Sequence, residues 1–504
     1  MELALVILYS FFLLFIFGYS LVQLHLVFLF RSFKRKKKAF TSHTEVFIPT
    51  DSSPYTPAEC AVTVQLPIYN EKYVIERLID AVAQFDYPKE LLEIQVLDDS
   101  TDETTLLLAQ KKLEWQAKGI NIQHIRRKSR EGFKAGALAY GLELAQGQFI
   151  AIFDADFLPE KDFLKRTLPE FADEKVGVVQ TRWLHLNENY SLLTQLQAFT
   201  LNAHFHIEQT GRNFGNHFIN FNGTGGVWRK SCIIDAGGWE ADTLTEDLDL
   251  SYRAQLKGWK FRYLPEVGTP SELPVAIQAM KTQQFRWTKG AAECTRKNLW
   301  KVWKAKNLPF STKIHALFHL MNSFIFPSVV FIAVMSLPIL WIKVHYPVYK
   351  LLFQVGSLFL ISLFFLMFYY WTSYREDTPQ SPFRFLYFLG RFFLFLAVSM
   401  GFSLHNAIAV MEGYLGKKTP FVRTPKFNIY DRKDTWKHNQ YLLKSLNLIT
   451  LVEGFLALYF LGGIALGIYL DDYGLLPFHF LLSLGFGYIF IYSIRQSMSS
   501  NISS

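Results

Sequence analysis

Three acidic clusters have the composition and spacing to do chemistry. Asp98-Asp99-Ser100 closes one short apolar run, Asp154-Ala155-Asp156 closes another, and Thr245-Glu246-Asp247 lies in a polar stretch beyond Trp239. Residues i and i+2 of an extended backbone project the same way. Asp154 and Asp156 can therefore share one hard cation of the Mg²⁺ or Mn²⁺ kind, which takes one or two carboxylates plus phosphate oxygens. A lone Asp after a strand more often opens a turn or caps a helix; acids repeated after two buried strands favour binding. Thr245, with Glu246 and Asp247 in a first helical turn, fits an N-cap, while a buried carboxylate there could act as a general base contributing about 10²- to 10⁴-fold. Gln283-Gln284-Phe285-Arg286-Trp287 joins a guanidinium that can fork onto a diphosphate to an indole that can stack on a sugar. The same segment also reads as an amphipathic helix with Trp at a membrane interface.

The elements around these acids alternate. Val62 to Ile68 is β-rich, Val74, Ile75, Leu78, Ile79 and Val82 recur at helical spacing, and Ile94 to Leu97 is apolar. A helix-length stretch from Glu103 then leads to the apolar run Phe149 to Phe153. Strands alternating with helices imply an α/β fold with a doubly wound, mostly parallel sheet, whose ligands bind beyond the carboxyl ends of the strands. The acids stand at those ends.

Composition places the rest of the chain in lipid. Of 504 residues, 50% are hydrophobic, 48 are Phe and only 19% are charged, with a net charge of +9. From Leu3 to Phe30 no residue carries a formal charge, more than the roughly 20 residues that cross a bilayer core. Arg31, Lys34, Arg35, Lys36, Lys37 and Lys38 follow. A basic cluster after the apolar run, with Glu2 before it, opposes a cleavable signal peptide and puts residue 31 onward in the cytosol. Nucleic acid is not needed to explain the basic balance. Further apolar runs occur at 315–342, 351–374, 445–470 and 475–494, giving five spans. The apolar segment 383–416 holds Arg384, Arg391 and Glu412 and precedes a strongly basic loop. We expect it to lie along the cytosolic interface or to re-enter, because a crossing there would place that loop outside; a sixth span is the alternative. Cys60, Cys232 and Cys294 make no CxxC pair, which argues against a disulfide framework or structural zinc and for a reducing compartment.

Other signals are weak. Gly413-x-x-Gly416-Lys417-Lys418-Thr419 lacks P-loop spacing and a preceding strand. His204-Phe-His206-Ile-Glu208 lacks the further histidine or cysteine a zinc set needs. Asn222-Gly-Thr224 is a glycosylation acceptor by pattern, placed in the cytosol by the inferred topology.

In order, Asp98-Asp99, Asp154-Ala-Asp156, Thr245-Glu-Asp247 and Gln283-x-x-Arg286-Trp287, with a membrane helix on each side, resemble the membrane-embedded family 2 glycosyltransferases of the cellulose and hyaluronan synthase type. Pro67 to Glu71, Gln95 to Asp102, Phe133 to Leu138, Phe221 to Trp228 and Leu256 to Phe261 look closest to the plant cellulose-synthase-like mannan synthases and their xyloglucan-backbone glucan synthase relatives. The likeness is strong over roughly 60–300 and one of layout beyond.

The resemblance implies a GT-A catalytic domain. It places Tyr69, Glu71, Asp98, Asp99, Lys134 and Asp154 at the nucleotide sugar, Asp154 and Asp156 at Mg²⁺ or Mn²⁺, and Asp247 as base with Glu246 beside it. Arg286 would meet the diphosphate, and Phe221, Asn222, Gly223, Gln283 and Trp287 would border the acceptor sugar. A gating loop reads Phe-x-Val-Thr-x-Lys in cellulose synthases; here Phe421-Val-Arg-Thr424-Pro-Lys426 keeps Phe, Thr and Lys but inserts Arg423 and Pro425. Pro425 fixes φ and removes a donor, which bears on how the loop moves.

The expected organisation is a membrane helix and basic flank (1–40), a cytosolic catalytic domain (45–300), two spans with the interfacial segment (301–416), the gating-type loop (417–444) and two final spans (445–504). The expected activity is processive, inverting synthesis of a β-linked mannan- or glucan-type polysaccharide, with translocation across the membrane. The partners are a UDP-glucose- or GDP-mannose-type donor, the growing glycan and the bilayer, with no nucleic acid; an accessory subunit or homo-oligomer is left open. A bacterial inner membrane and a Golgi membrane fit equally. The rivals are a non-processive transferase adding one sugar to a lipid, and a scaffold or transporter that only binds nucleotide.

Overall fold

A computed structural model describes residues 2–41, 60–357, 360–436, 441 and 448–501. Its soluble part is built on seven strands: β1 (Val62–Ile68), β2 (Leu92–Asp98), β3 (Asn121–Arg126), β4 (Phe149–Ile152), β5 (Val176–His185), β6 (Gly226–Arg229) and β7 (Lys260–Ser271). They form one sheet in the order β3-β2-β1-β4-β6-β5-β7. β6 runs antiparallel to both neighbours, and the other pairings are parallel. This is the mostly parallel, doubly wound sheet expected from the sequence.

Why these runs become strands is visible in their burial. Every residue of β2 and β4 is buried, as in a sheet covered on both faces. The two-residue period divides β4 and its extension between two cores: Phe149, Ala151 and Phe153 pack on one face, Ile150 and Ile152 on the other. Chain order reverses between β1 and β4, so their carboxyl ends flank a switch point, the usual ligand crevice of such sheets.

Ten helices matter below: α1 (Glu2–Thr41), α2 (Phe133–Leu144), α3 (Glu246–Leu256), α4 (Ile277–Lys304), α5 (Phe310–Leu320), α6 (Ile325–His345), α7 (Ile361–Asp377), α8 (Arg384–Tyr414), α9 (Leu448–Tyr469) and α10 (Leu476–Asn501). Five helical stretches among the described residues are long and apolar enough to cross a membrane: Glu2–Ala39, Phe310–His345, Arg384–Tyr414, Leu448–Tyr469 and Leu476–Met498. They mark the chain as a membrane protein.

This set differs from the sequence expectation. It includes α8, read above as interfacial, and omits 351–374, where the helix Lys350–Ser357 and α7 are separate elements. Hydropathy admits α8 because a long apolar window lies between its charged residues. Packing adds what hydropathy does not see. Tyr349 and Phe353 pack beside Val6 of α1 and Ile339 and Ile342 of α6, whereas the far end of α7 pairs Glu376 with Lys34 at 2.7 Å and Asp377 with Arg182 of β5 at 2.9 Å. The helix Lys350–Ser357 and α7 therefore lie along α1, and the far end of α7 reaches the sheet. α8 begins where Arg384 donates to the Arg375 carbonyl and ends where Glu412 meets Lys289 of α4 at 3.2 Å. Both its ends touch elements next to the soluble region. Midway it crosses α10 closely: a Cβ on Gly485 would fall 1.8 Å from the Ala397 oxygen, so only glycine permits the crossing.

Candidate active site

Beyond the carboxyl ends of β1, β2 and β4 opens a cleft, continuous with solvent and closed on its other sides by α3, α4 and the 421–426 segment. The segment after β1 carries Tyr69 and Glu71. Asn70, at φ 55°, ties that turn to the end of β2: its N–H donates to Ser100 Oγ and its Oδ1 accepts from the Thr101 N–H, both at 2.9 Å. Burial, only partly opposed by Arg423 and Lys426, pushes the Glu71 carboxyl up to about 7; its Oε2 lies 2.7 Å from Arg423. Asp99 is gripped by Arg127, whose Nε donates to Oδ1 at 3.0 Å. Arg130 stacks on the Tyr69 ring, its guanidinium carbon 3.3 Å from the centroid.

After β4, Asp154 and Asp156 face cations. Lys134 of α2 donates to Asp154 Oδ1 at 2.6 Å and to the Gly223 carbonyl at 2.9 Å. Burial works against the Lys134 charge, but Asp154, Glu246 and Asp247 outweigh it and hold its pKa above the usual range. Lys426 donates to Asp156 Oδ2 at 2.7 Å, while Asp156 Oδ1 is buried with no partner. A buried carboxylate oxygen without a donor, two residues from a second carboxylate, is the donor set a hard divalent cation takes. The residues therefore fit Mg²⁺ or Mn²⁺.

α3 begins at the cleft. Thr245 holds its N-cap position, yet its hydroxyl makes no capping bond and meets Cys294 Sγ at 3.4 Å instead. Glu246 and Asp247 fill the first turn, where the helix dipole favours anions. Burial and then the neighbouring Glu246 charge nonetheless push Asp247 up to about 7, against the pull of Lys134, and burial raises Glu246 as well. Gly223, at φ 81°, passes so close to Asp247 that a Cβ there would stand 3.0 Å from Oδ2.

From α4 come Gln283, Arg286 and the part-exposed Trp287. Arg286 donates to Thr424 Oγ1 at 2.8 Å and lies 4.6 Å over the Phe421 ring, and its Nε is buried without a partner. Burial lowers its pKa, opposed by Asp154, Glu246 and Asp247. Phe421 stacks on Phe133 at 5.5 Å. The 421–426 segment thus lies across the cleft, its Arg423, Thr424 and Lys426 engaged with Glu71, Arg286 and Asp156. Of the 417–444 loop, residues 437–440 and 442–444 lie outside the described residues.

The structure brings together Tyr69, Glu71, Asp99, Lys134, Asp154, Asp156, Asn222, Gly223, Glu246, Asp247, Gln283, Arg286, Trp287, Phe421, Thr424 and Lys426. Two expected site residues lie elsewhere. Asp98 is buried below the cleft, accepting from the Ser100 N–H at 2.8 Å and Thr105 Oγ1 at 3.0 Å and meeting His124 Nε2 at 2.8 Å. As the last residue of β2 it projects opposite to Asp99, and it fixes the turn that presents Asp99. Phe221 is fully buried, edge-on to Trp228 at 5.5 Å, with its N–H on Ser251 Oγ; it supports Asn222 and Gly223 from the core. The His204-Phe-His206-Ile-Glu208 set is likewise structural: His204 bridges Glu208 at 3.0 Å and Asn222 Oδ1 at 3.2 Å.

Sequence reasoning missed Arg130, Trp183 and Glu272, and took Arg423 only as a departure from the gating motif; all four line the cleft. The basic run Arg126-Arg127-Lys128 to Arg130, which starts on the last residue of β3, was an available signal. Glu272 gave none: it acts by accepting the Phe427 and Asn428 N–H groups at 2.8 and 2.9 Å, across more than 150 residues.

Residues 57–290 match the profile of the family described as Glycosyltransferase like family 2. The chain is 45% identical over 270 residues to a probable glucomannan 4-beta-mannosyltransferase 2 of Oryza sativa subsp. japonica, covering 53% of this chain and 46% of the relative. It is 41% identical over 262 residues to glucomannan 4-beta-mannosyltransferase 2 of Arabidopsis thaliana, covering 51% and 49%. It thus spans about half the length of these relatives. Among solved structures, a mannosyltransferase from Pyrobaculum calidifontis in complex with GDP-Man and Mn²⁺ aligns with a TM-score of 0.48 and 19% identity over 80% of this chain and all of that one.

Proposed function

We propose, from the match of residues 57–290 to the Glycosyltransferase like family 2 profile and the geometry of the cleft, that this chain is a processive, inverting hexosyltransferase that extends a β-linked polysaccharide of the mannan or glucan type. The observation that carries the reading is geometric: Asp247, a half-buried carboxyl whose pKa burial and the Glu246 charge raise, shares one cleft with the Asp154/Asp156 pair, Arg286 and Trp287. A base works best when its pKa lies near the working pH.

In the proposed reaction Asp247 accepts the proton of an acceptor hydroxyl. That oxygen forms the new bond to C1 of an α-linked sugar nucleotide as the bond from C1 to the diphosphate oxygen breaks, inverting C1 to the β configuration. The nucleoside diphosphate leaves with the electron pair, its charge met by Arg286 and Lys134. A divalent ion held by Asp154 and Asp156 would add charge stabilisation at the leaving group. Tyr69, Glu71, Asp99 and Arg130 would hold the nucleoside; Asn222, Gly223, Gln283 and Trp287 would border the acceptor. Phe421, Thr424 and Lys426 would close over the donor. Because the curated relatives are named mannosyltransferases, an activated mannose such as GDP-mannose is the first donor to test and UDP-glucose the second. The basic cluster Arg31 to Lys38 at the end of α1 supports a cytosolic catalytic domain, with the product leaving among the membrane helices. The domain limits given above carry over as part of this proposal.

The test is nucleoside diphosphate release by the full chain in nanodiscs, across GDP- and UDP-sugars with Mg²⁺ or Mn²⁺, beside Asp247→Asn. One donor should give metal-dependent turnover and a polymer digestible by a β-mannanase or β-glucanase. Turnover surviving in Asp247→Asn, or a product limited to one sugar on lipid, overturns the reading.

A further inference from the structure

Away from the cleft, three imidazoles meet where α1 and α5 pack on the soluble region. His25 comes from α1, His217 from the turn after the Thr210–Phe214 helix and His315 from α5; the first is exposed and the other two buried. One nitrogen of each ring lies within 4.8 Å of the other two, and His25 Nδ1 and His315 Nε2 are 2.9 Å apart. Ring centroids are 5.0 Å apart for His25/His315, 6.3 Å for His25/His217 and 3.8 Å for His217/His315. His217 Nδ1 pairs with Thr312 Oγ1 at 3.0 Å, which in the donating tautomer leaves Nε2 with its lone pair. His315 Nδ1 is buried and has no partner.

We propose that His25, His217 and His315 bind one late transition-metal ion of the zinc class, with a fourth, non-histidine ligand completing the coordination. An all-imidazole set suits Zn²⁺ and its neighbours and not Mg²⁺ or Ca²⁺. Zn–N bonds of about 2.0–2.1 Å in tetrahedral geometry put ring centres on the order of 5 Å apart, within the observed spread. The Thr312 bond is the outer oxygen contact that ligating histidines usually make. The His217 and His315 rings, stacked at 15°, must splay to converge on an ion; the site is gathered in advance and completed by binding. Arg212, which donates to the His315 carbonyl, is the nearest cation, and Glu208 neutralises it at 2.9 Å. The ion would pin the first membrane helix and α5 to the catalytic region. This site is independent of the activity proposed above.

The test uses the full chain without a polyhistidine tag, in nanodiscs, stripped with a chelator and titrated with Zn²⁺ or Co²⁺. Asp156→Asn is the common background, so that an ion at the carboxylate pair is not counted. We expect one tightly held equivalent of Zn²⁺ by mass spectrometry and intense visible bands for tetrahedral Co²⁺. His25→Gln should weaken binding at least tenfold, and Thr312→Val by about tenfold, the scale of losing an outer contact. His217→Ala is avoided because a buried change there can unfold the junction; His25 is exposed, and unfolding midpoints of both variants without metal should match the parent. Absence of a stoichiometric ion, an octahedral Co²⁺ spectrum, or equal affinity in the parent, His25→Gln and Thr312→Val overturns the site.

Discussion

The two halves of the cleft are assembled by different means. The half that faces the nucleotide rises from neighbouring strand ends: Tyr69, Asp99 and Asp154 follow β1, β2 and β4, which pair directly. The other half stands on α4, which carries Arg286, proposed to meet the diphosphate, and Gln283 and Trp287, proposed to border the acceptor, and it is fixed from far along the chain. Arg286 reaches Thr424, 138 residues away, and Gln284 accepts from Asn406 of α8, 122 residues away. Lys281 donates to both carboxylate oxygens of Glu453 in α9, 172 residues away, at 2.9 and 2.8 Å. The strand-end half is therefore a property of the sheet, and the α4 half takes its place only once the membrane helices have packed. Mutations should separate the two functions along that line.

The largest separation is expected at the point where the halves meet. Asp247→Asn keeps shape and removes the base, so transfer should fall roughly 10²- to 10⁴-fold while nucleotide affinity, read by calorimetry, stays within about twofold. An equal loss of both would place Asp247 in the donor half and dissolve the comparison.

Next comes the buried pair that anchors α4. Lys281 and Glu453 are almost fully buried, and Ser493 of α10 lies 3.3 Å from the ammonium. Removing one partner of such a pair costs about 3–5 kcal/mol, whereas replacing both with apolar residues of similar size is often neutral. Glu453→Ala should lower the unfolding midpoint and kcat together and leave nucleotide affinity unchanged, and Lys281→Met/Glu453→Leu should recover most of the stability. Nucleotide affinity falling in step with kcat would show that the membrane helices also build the donor half.

The same contrast explains what the sequence disclosed. Three of the seven strands, β1, β2 and β4, and the acids at their ends were legible because the burial period and the acids' position depend on residues close in sequence; β3 and β5 to β7 were not read. Asp98 and Phe221 were misplaced because adjacent residues were given one role, although alternation sends Asp98 away from Asp99 and Phe221 into the core beneath Asn222. Arg423 was read as a defect in a motif, since its partner Glu71 lies more than 350 positions away. The segments 351–374 and 383–416 were read by charge and hydropathy alone, and their relation to the sheet is carried by pairs such as Asp377–Arg182 and Glu412–Lys289 that no local window contains.

A smaller effect sharpens the comparison through pH. With Asp247 raised to about 7, the carboxyl is protonated below that value and cannot accept a proton, so kcat should fall about tenfold per pH unit on the acid side and level off above. Glu71 also titrates near 7 but belongs to the donor half. Glu71→Gln should therefore alter KM for the donor and leave the acid limb of kcat in place. Loss of that limb in Glu71→Gln would assign it to donor binding.

The smallest effect concerns a residue that stands at the site in sequence and beneath it in space. Asp98 accepts from the Ser100 N–H and Thr105 Oγ1 and meets His124, all within 3.0 Å, and touches nothing in the cleft. His124, Ser100 and Thr105 together overcome the burial penalty and hold its carboxyl below the usual range. Asp98→Asn preserves shape but exchanges one accepting oxygen for a donor, leaving Ser100 N–H or Thr105 hydroxyl without its acceptor, a loss of about 1–3 kcal/mol. The unfolding midpoint should drop, donor KM should shift less than threefold, and kcat at saturation should be unchanged. Asp99→Asn, one residue along and inside the cleft, should do the reverse: Arg127 loses half of its fork, donor KM rises, and stability changes little. A large donor-binding defect in Asp98→Asn with an intact midpoint would return Asp98 to the nucleotide site and make the alternation of β2 the wrong guide.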